Sequence, residues 1–427
     1  MWKPTAMQRC VAGLIALLAF ACDASAMSYV MTRDEALVDG AHGIIVADVV
    51  QVERATLAYQ TETVYVLAVD RMLSPRRSLA YERLALPGSP PDALAQYLPH
   101  GVPKLAVGDR VLVPFERRLD GTIVPRQLAL GLFFEQVVDG RSVYVRALDQ
   151  VGDVGKGRNA AYHAPRDAGR FEQWITRRSR GAKAAVDYLE PDLGDVAAKF
   201  NLSRDNNSNF LRWYEFDADI VVSWTAVAGG QNGMVTDEFL QLQQALAAWT
   251  NDGGSKILLS YGGTVGGTDT FCDNGSSDGN VVLWNDPLGT IGGTFSCGSG
   301  GTLAVAGPCF FTPPMTYNGM PFDDIFEARL TVQDGAGCFF DGNSGANGAE
   351  TLTHEIGHTL GFAHSCGDGS SGACVGGSLA DEAVMRASAH GDGRGAALGL
   401  DDRSAAAFSY LAPGGAPPDA IFANGFE

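Results

Sequence analysis

A chain of 427 residues, 46% hydrophobic and 19% charged, is too apolar to stay disordered and longer than one typical domain, so two folded units are expected. Its formal net charge of -18 excludes nucleic acid and anionic lipid surfaces as natural partners, because an acidic chain repels polyanions. The same acidity suits a soluble exported protein.

Residues 1–26 read as a signal peptide. Lys3 and Arg9 supply the positive n-region, Val11 to Ala21 is a short apolar run, and Ala24-Ser25-Ala26 is a small-residue cleavage site. The run is too short to span a bilayer, and no later segment is long and apolar enough, so no stable membrane span is expected. Lipid attachment at Cys22 is the alternative, although Ala19-Phe20-Ala21 lacks the usual leading Leu. The mature chain is expected to be secreted, in a periplasmic or extracellular setting. Of the 8 cysteines, Cys10 and Cys22 lie in the leader. The others (Cys272, Cys297, Cys309, Cys338, Cys366 and Cys374) fall in the C-terminal part and read as disulfides. Cys366 and Cys374 close a short loop and are the natural pair, while the other four leave three pairings open. No C-x-x-C pair supports a cysteine-ligated zinc.

Residues 27–160 carry β-rich runs: Gly43 to Val50, Thr63 to Val69, and Asp109 to Phe115. Asp120-Gly121 and Asp139-Gly140 are hairpin-turn dipeptides beside such runs. This predicts a small, mostly antiparallel β-domain, barrel-like in form. Residues 161–200 predict a basic helical linker. Phe171, Trp174 and Ile175 share one face, and Arg166, Arg170, Arg177, Arg178, Arg180 and Lys183 crowd the solvated remainder. Arg177-Arg178-Ser179-Arg180 is also a site that a trypsin-like enzyme would cut during maturation.

Residues 201–412 form the second unit. Ile220 to Trp224 predicts a strand, and Phe239, Leu242, Leu246 and Trp249 predict a helix over Thr236 to Thr250. Further strands are expected at Ile257 to Tyr261, Asn280 to Trp284 and Glu327 to Val332, with the glycines between Gly253 and Gly301 read as turns. The order predicts an α+β layout, helices packed on one twisted mixed sheet. Asp334-Gly335-Ala336-Gly337 and Asp341-Gly342-Asn343 are loops for Ca2+ or plain turns; they lack the full EF-hand pattern. Residues 413–427 form a Pro/Gly linker and a C-terminal tail, which is either a sorting signal or a docking end.

The segment His354-Glu355-Ile356-Gly357-His358-Thr359-Leu360-Gly361-Phe362-Ala363-His364 carries the chemistry. His354 and His358 lie one turn apart, so both imidazoles leave the same helix face and can chelate one Zn2+. Glu355 follows in the helix and can reach a water in the fourth position without binding metal. Gly361 can end the helix in a left-handed conformation, and the returning chain offers His364 as third ligand. Three protein ligands leave one position open, as in catalytic rather than structural zinc. The competing reading is a helix with ordinary core or surface histidines.

This H-E-x-x-H-x-x-G-x-x-H pattern resembles the metzincin clan of zinc endopeptidases. Gly357 inside it and Ser365 after it are similar to the matrixin, or matrix-metalloproteinase-like, branch. The resemblance implies a metzincin-like catalytic domain over about residues 200–411, preceded by the β-domain. It also implies a Met-turn under the zinc, with Met385 in Ala383-Val384-Met385-Arg386, and a last helix from Leu400 to Leu411. Several features depart from the family. No Tyr closely follows Met385, the gap from His364 to Met385 is long, and His390 alone is left for a second zinc. No cysteine lies between residues 27 and 271, so a cysteine-switch propeptide cannot operate. The implied activity is hydrolysis of protein or peptide substrates with Glu355 as catalytic base. Two other readings stand beside it: an exported binding or adhesion protein with an auxiliary zinc site, and a β-domain acting as folding aid or inhibitor.

Overall fold

The computed structural model describes residues 28–412 except 58–59, 76–78, 90–94, 100–101, 139–140, 148–164, 183–184, 191–201, 206, 268–270, 273–278, 318 and 369–370. The expected leader with Cys10 and Cys22, the Asp139-Gly140 turn and the tail 413–427 lie outside the described residues. The described chain is α+β.

Alternating apolar residues build the first sheet. Along Gly43–Leu57, Ile45, Ala47 and Val49 face one core, while Ile44 and Val46 face another. This strand pairs antiparallel with Gln60–Met72 on one side and Arg110–Arg117 on the other. Tyr81–Pro87 extends the sheet beyond Gln60–Met72. Ile123–Pro125 then pairs with both Tyr81–Pro87 and Arg110–Arg117, so five strands return on themselves as a ring. Phe133–Val138, Arg141–Arg146 and Arg166–Asp167 continue outward from Arg110–Arg117.

The helix Ala168–Arg178 is capped by Asp167, whose side chain accepts from the Arg170 N–H at 2.9 Å. It is not a solvated linker. Phe171, Trp174 and Ile175 bury themselves against Leu37, Val46 and Tyr144, making it part of the N-terminal core. Arg166, expected on a solvated face, is fully buried. The reason is a carboxylate partner: Asp34 accepts from Arg166 at 2.9 Å and from Arg146 at 2.6 Å, and Tyr188 also donates to it.

The second sheet runs Ser28–Val30, Gly301–Tyr317, Met320–Val332, Asn280–Leu283, Val222–Val227, Leu259–Val265. Its last four strands are mutually parallel, while Gly301–Tyr317 turns back antiparallel to Met320–Val332. A parallel pair needs a crossover, and the helix Glu238–Thr250 supplies it between Val222–Val227 and Leu259–Val265. The helix Ala346–Thr359 packs against that crossover helix, and the Trp249 indole donates to the Thr353 carbonyl at 2.9 Å. The expected elements of this unit are present with shifted ends, the strand expected from Glu327 beginning at Met320, while the strands Phe210–Arg212 and Gly301–Tyr317 were not anticipated.

The division of strands does not follow the two sequence halves. Ser28–Val30 and Ala95–Tyr97, from the N-terminal part, both pair with Gly301–Tyr317. Three disulfides hold the C-terminal part: Cys366–Cys374 as expected, with Cys272–Cys309 and Cys297–Cys338 resolving the open pairings. No helix among the described residues is long and apolar enough to cross a membrane.

Candidate metal centre

The helix Ala346–Thr359 is buried on all sides from Asn347 to Thr359, so each polar group on it needs a partner. Its threonines satisfy themselves locally: Thr351 donates to Asn347 O at 2.9 Å and Thr353 to Ala349 O at 2.7 Å. The helix stops at Gly361, whose φ is +89°. A Cβ there would lie 2.2 Å from the Leu211 carbonyl oxygen, so only glycine fits this reversal. The chain then returns His364 to the face carrying His354 and His358.

The three imidazoles converge. Their ligand atoms all lie within 4.8 Å of one another, with Nε2 of His354 2.7 Å from Nε2 of His358 and 3.3 Å from Nε2 of His364. Their other nitrogens point away into protein. Nδ1 of His354 donates to Val384 O at 2.8 Å, and Nδ1 of His358 to Phe362 O at 2.8 Å. Nδ1 of His364 meets Asp368 Oδ2 at 2.6 Å. A carbonyl only accepts, so Nδ1 of His354 and of His358 carries the proton, and their Nε2 atoms face inward with that of His364. Converging buried lone pairs repel unless a cation lies among them, so the donor set fits a metal ion.

Glu355 is fully buried beside the histidines, and burial pushes its carboxyl up to about 7. One oxygen, Oε1, accepts from the Ser28 backbone N–H at 2.8 Å. The Ser28 side chain and the Ala306 backbone N–H also act on this carboxylate and oppose the upward push of burial.

Met385 lies directly under this helix. A Cβ added to Gly357 would come within 2.3 Å of the Met385 sulfur, so the glycine inside the motif is what lets the methionine approach. The turn is held from below. Asp402 accepts from the Val384 N–H at 2.8 Å, the Met385 N–H at 3.1 Å and the Gly399 N–H at 2.7 Å. Ser365 N–H donates to Met385 O at 2.9 Å. The helix Leu400–Ser409 that carries Asp402 stands where the last helix was expected.

Sequence reasoning missed Asp368 and the part Asp402 plays. Asp368 follows His364 by four residues, a spacing that could have flagged it. The side chain of Asp402 was not singled out, because its work is done on a turn 17 residues earlier. His390 is engaged by Glu350 and by the Asp381 carbonyl. Cys366, Cys374 and Asp381 also cluster, but the two sulfurs are joined to each other and are spent as ligands. Of the loops read for Ca2+, Asp341 accepts from Val235 and Thr236, which is turn and cap chemistry.

No protein-family model matches the chain, and no curated protein matches it.

Proposed function

We propose that this chain is an exported zinc endopeptidase of the metzincin type, with His354, His358 and His364 as ligands and Glu355 as base. The observation that supports this most is the inward convergence of three Nε2 atoms, each fixed by a partner on its own Nδ1. An all-nitrogen set of three suits Zn2+ and leaves a position for water. Met385 beneath the helix is consistent with the Met-turn that the resemblance implies. Three disulfides suit an oxidising compartment, in keeping with export through residues 1–26.

His354, His358 and His364 would hold the ion, which when bound would supply Lewis acidity to a carbonyl and to water. Glu355 does the proton work. Its buried carboxylate takes a proton from the attacking water and delivers it to the departing amide nitrogen. Burial raises its basicity towards neutral pH, where a general base is most effective. The three Nδ1 contacts hold the imidazoles in one tautomer throughout.

The test is casein cleavage by the full chain and by Glu355→Ala, with zinc measured in both. Retained zinc with cleavage reduced by at least about 10²-fold is expected, the usual contribution of a general base. Undiminished cleavage in the mutant would remove Glu355 from the mechanism. Bound zinc with no cleavage by the wild type or by Ser28→Pro, which releases Glu355 from the Ser28 N–H, would favour a binding protein with an auxiliary metal.

A further inference from the structure

The strand Ser28–Val30 forms the edge of the second sheet and lies against the site. On one side it runs antiparallel to the sheet strand, with Ser28 opposite Ala304, Tyr29 opposite Thr302 and Val30 opposite Gly301. On the other it meets the segment after Met385: Tyr29 bridges Ser388 in parallel sense, and the Ala389 N–H donates to Tyr29 O at 3.3 Å. An extended segment held by backbone bonds on both sides is how a peptide is bound by strand addition. The register brings the Ser28 N–H to Glu355 Oε1 at 2.8 Å. That carboxylate is the one assigned to protonate a departing amide nitrogen, and here it already holds an amide nitrogen.

Two further features fix the strand. Tyr29 is 1% exposed, packs in the cluster containing Val305 and Ala387, and its hydroxyl donates to Gly367 O at 3.2 Å. Behind it, the chain is tethered to the N-terminal core, because Arg146 donates to Thr32 O at 2.8 Å and to Asp34 at 2.6 Å. Farther along the same sheet strand, Ala95–Tyr97 pairs with Cys309 to Phe311, and Leu98 N–H donates to Pro308 O at 3.1 Å. The N-terminal part therefore covers this edge at two places.

We infer that the N-terminal part is a resident inhibitor, and that Ser28–Val30 fills the peptide cleft as a substrate-like strand with the Ser28 nitrogen at the leaving-group position. This rests on the reading of Glu355 as the base. Exogenous peptide must displace the strand, so the full chain is latent. A tethered occupant competes at an effective concentration on the order of mM, which suppresses binding of dilute substrate.

The test uses the zinc-loaded full chain, Ser28→Pro and Tyr29→Ala. Proline removes both the Ser28 N–H and the Ser28 hydroxyl that act on Glu355, and alanine empties the anchor. Zinc content and Tm establish that each variant is folded. Two readouts are taken: cleavage of a short fluorogenic peptide, and binding of a fluorescent peptide hydroxamate, which needs an open cleft but no turnover. Ser28→Pro is expected to bind the probe and cleave the peptide roughly 10- to 100-fold better than wild type, the size of the charge-assisted hydrogen bonding lost. Tyr29→Ala is expected to move both readouts in the same direction. Improved probe binding without any cleavage would keep the occluding strand and sink the endopeptidase reading. Equal probe binding by folded wild type and both variants would overturn the inhibitor, whether or not peptide is cleaved.

Discussion

Replacing Gly357 by alanine sets a gain in helix propensity against a clash. Alanine is favoured over glycine inside a helix by about 1 kcal/mol. The new Cβ would lie 2.3 Å from Met385 Sδ, 3.1 Å from its Cε and 2.8 Å from Trp249 Cζ2. Ordinary contacts are about 3.5–4.0 Å, so the sulfur must retreat by more than about 1 Å. Relief has to come from the Met385 thioether taking another rotamer, because its backbone and the Trp249 indole are both held. The Met385 backbone is bonded at N–H to Asp402 and at its carbonyl to Ser365, and the Trp249 indole is bonded to Thr353. Overpacking of this kind costs about 1–3 kcal/mol, so a net loss of up to about 2 kcal/mol is expected after the helical gain. The displacement also reaches the metal site, because Val384 O holds His354 Nδ1; zinc affinity should fall roughly 10-fold. Thermal melts of the zinc-loaded chain and competition with a chromophoric chelator measure both effects. Met385→Ala alone should cost about 2–5 kcal/mol, yet considerably less in the Gly357→Ala background, with a coupling of about 1–2 kcal/mol. If Gly357→Ala is as stable as wild type, binds zinc equally well and is additive with Met385→Ala, the argument that this glycine seats the methionine is refuted.

Asp368→Ala should leave the fold in place and weaken zinc binding about 10- to 100-fold, since it releases His364 Nδ1; chelator competition at fixed pH reads this directly. Asp34 gives a prediction in pH. Burial opposes its ionisation, but Arg166 and Arg146 outweigh burial and hold the carboxyl below its ordinary 3.8. A depressed folded-state pKa contributes stability above the unfolded value, and that stability is lost as pH falls through the folded value. Wild type should therefore lose stability below about pH 4, while Asp34→Asn should start about 3–5 kcal/mol lower at pH 7 and show a flatter acid limb. Denaturant melts at several pH values decide this, and parallel acid limbs in the two proteins would count against the Asp34 network.

How much could be read from sequence depended on how far apart the cooperating groups lie. The histidines, Glu355 and Gly361 fall within eleven residues: helical geometry pairs His354 with His358, and the glycine reversal returns His364 to them. The helix to Trp249 was legible because one apolar face repeats with period 3.6. The strand Gly301–Tyr317 was not, because Gly301, Gly307, Pro308, Pro313 and Pro314 all lower strand propensity. Tertiary pairing overrides that local preference, since Met320–Val332 lies along one edge and Ser28–Val30 and Ala95–Tyr97 cover the other. Arg166 was misplaced for a related reason. A charge run reads as solvated unless its counter-ion is known, and Asp34 is 132 residues away.

The polar atoms of the site divide by the direction they face, and that division argues for a functional rather than a structural cluster. A buried structural network is most stable when every member is satisfied within the protein. Here the outward atoms are so satisfied: three Nδ1 atoms by Val384, Phe362 and Asp368, and one Glu355 oxygen by Ser28. Facing inward are the three Nε2 atoms, all within 4.8 Å of one another, and Glu355 Oε2 beside them. Replacing these groups with apolar ones of similar volume would remove the repulsion and the desolvation of four polar atoms. A cation and a water held there would touch all four atoms at once, which is the arrangement the proposed function calls for.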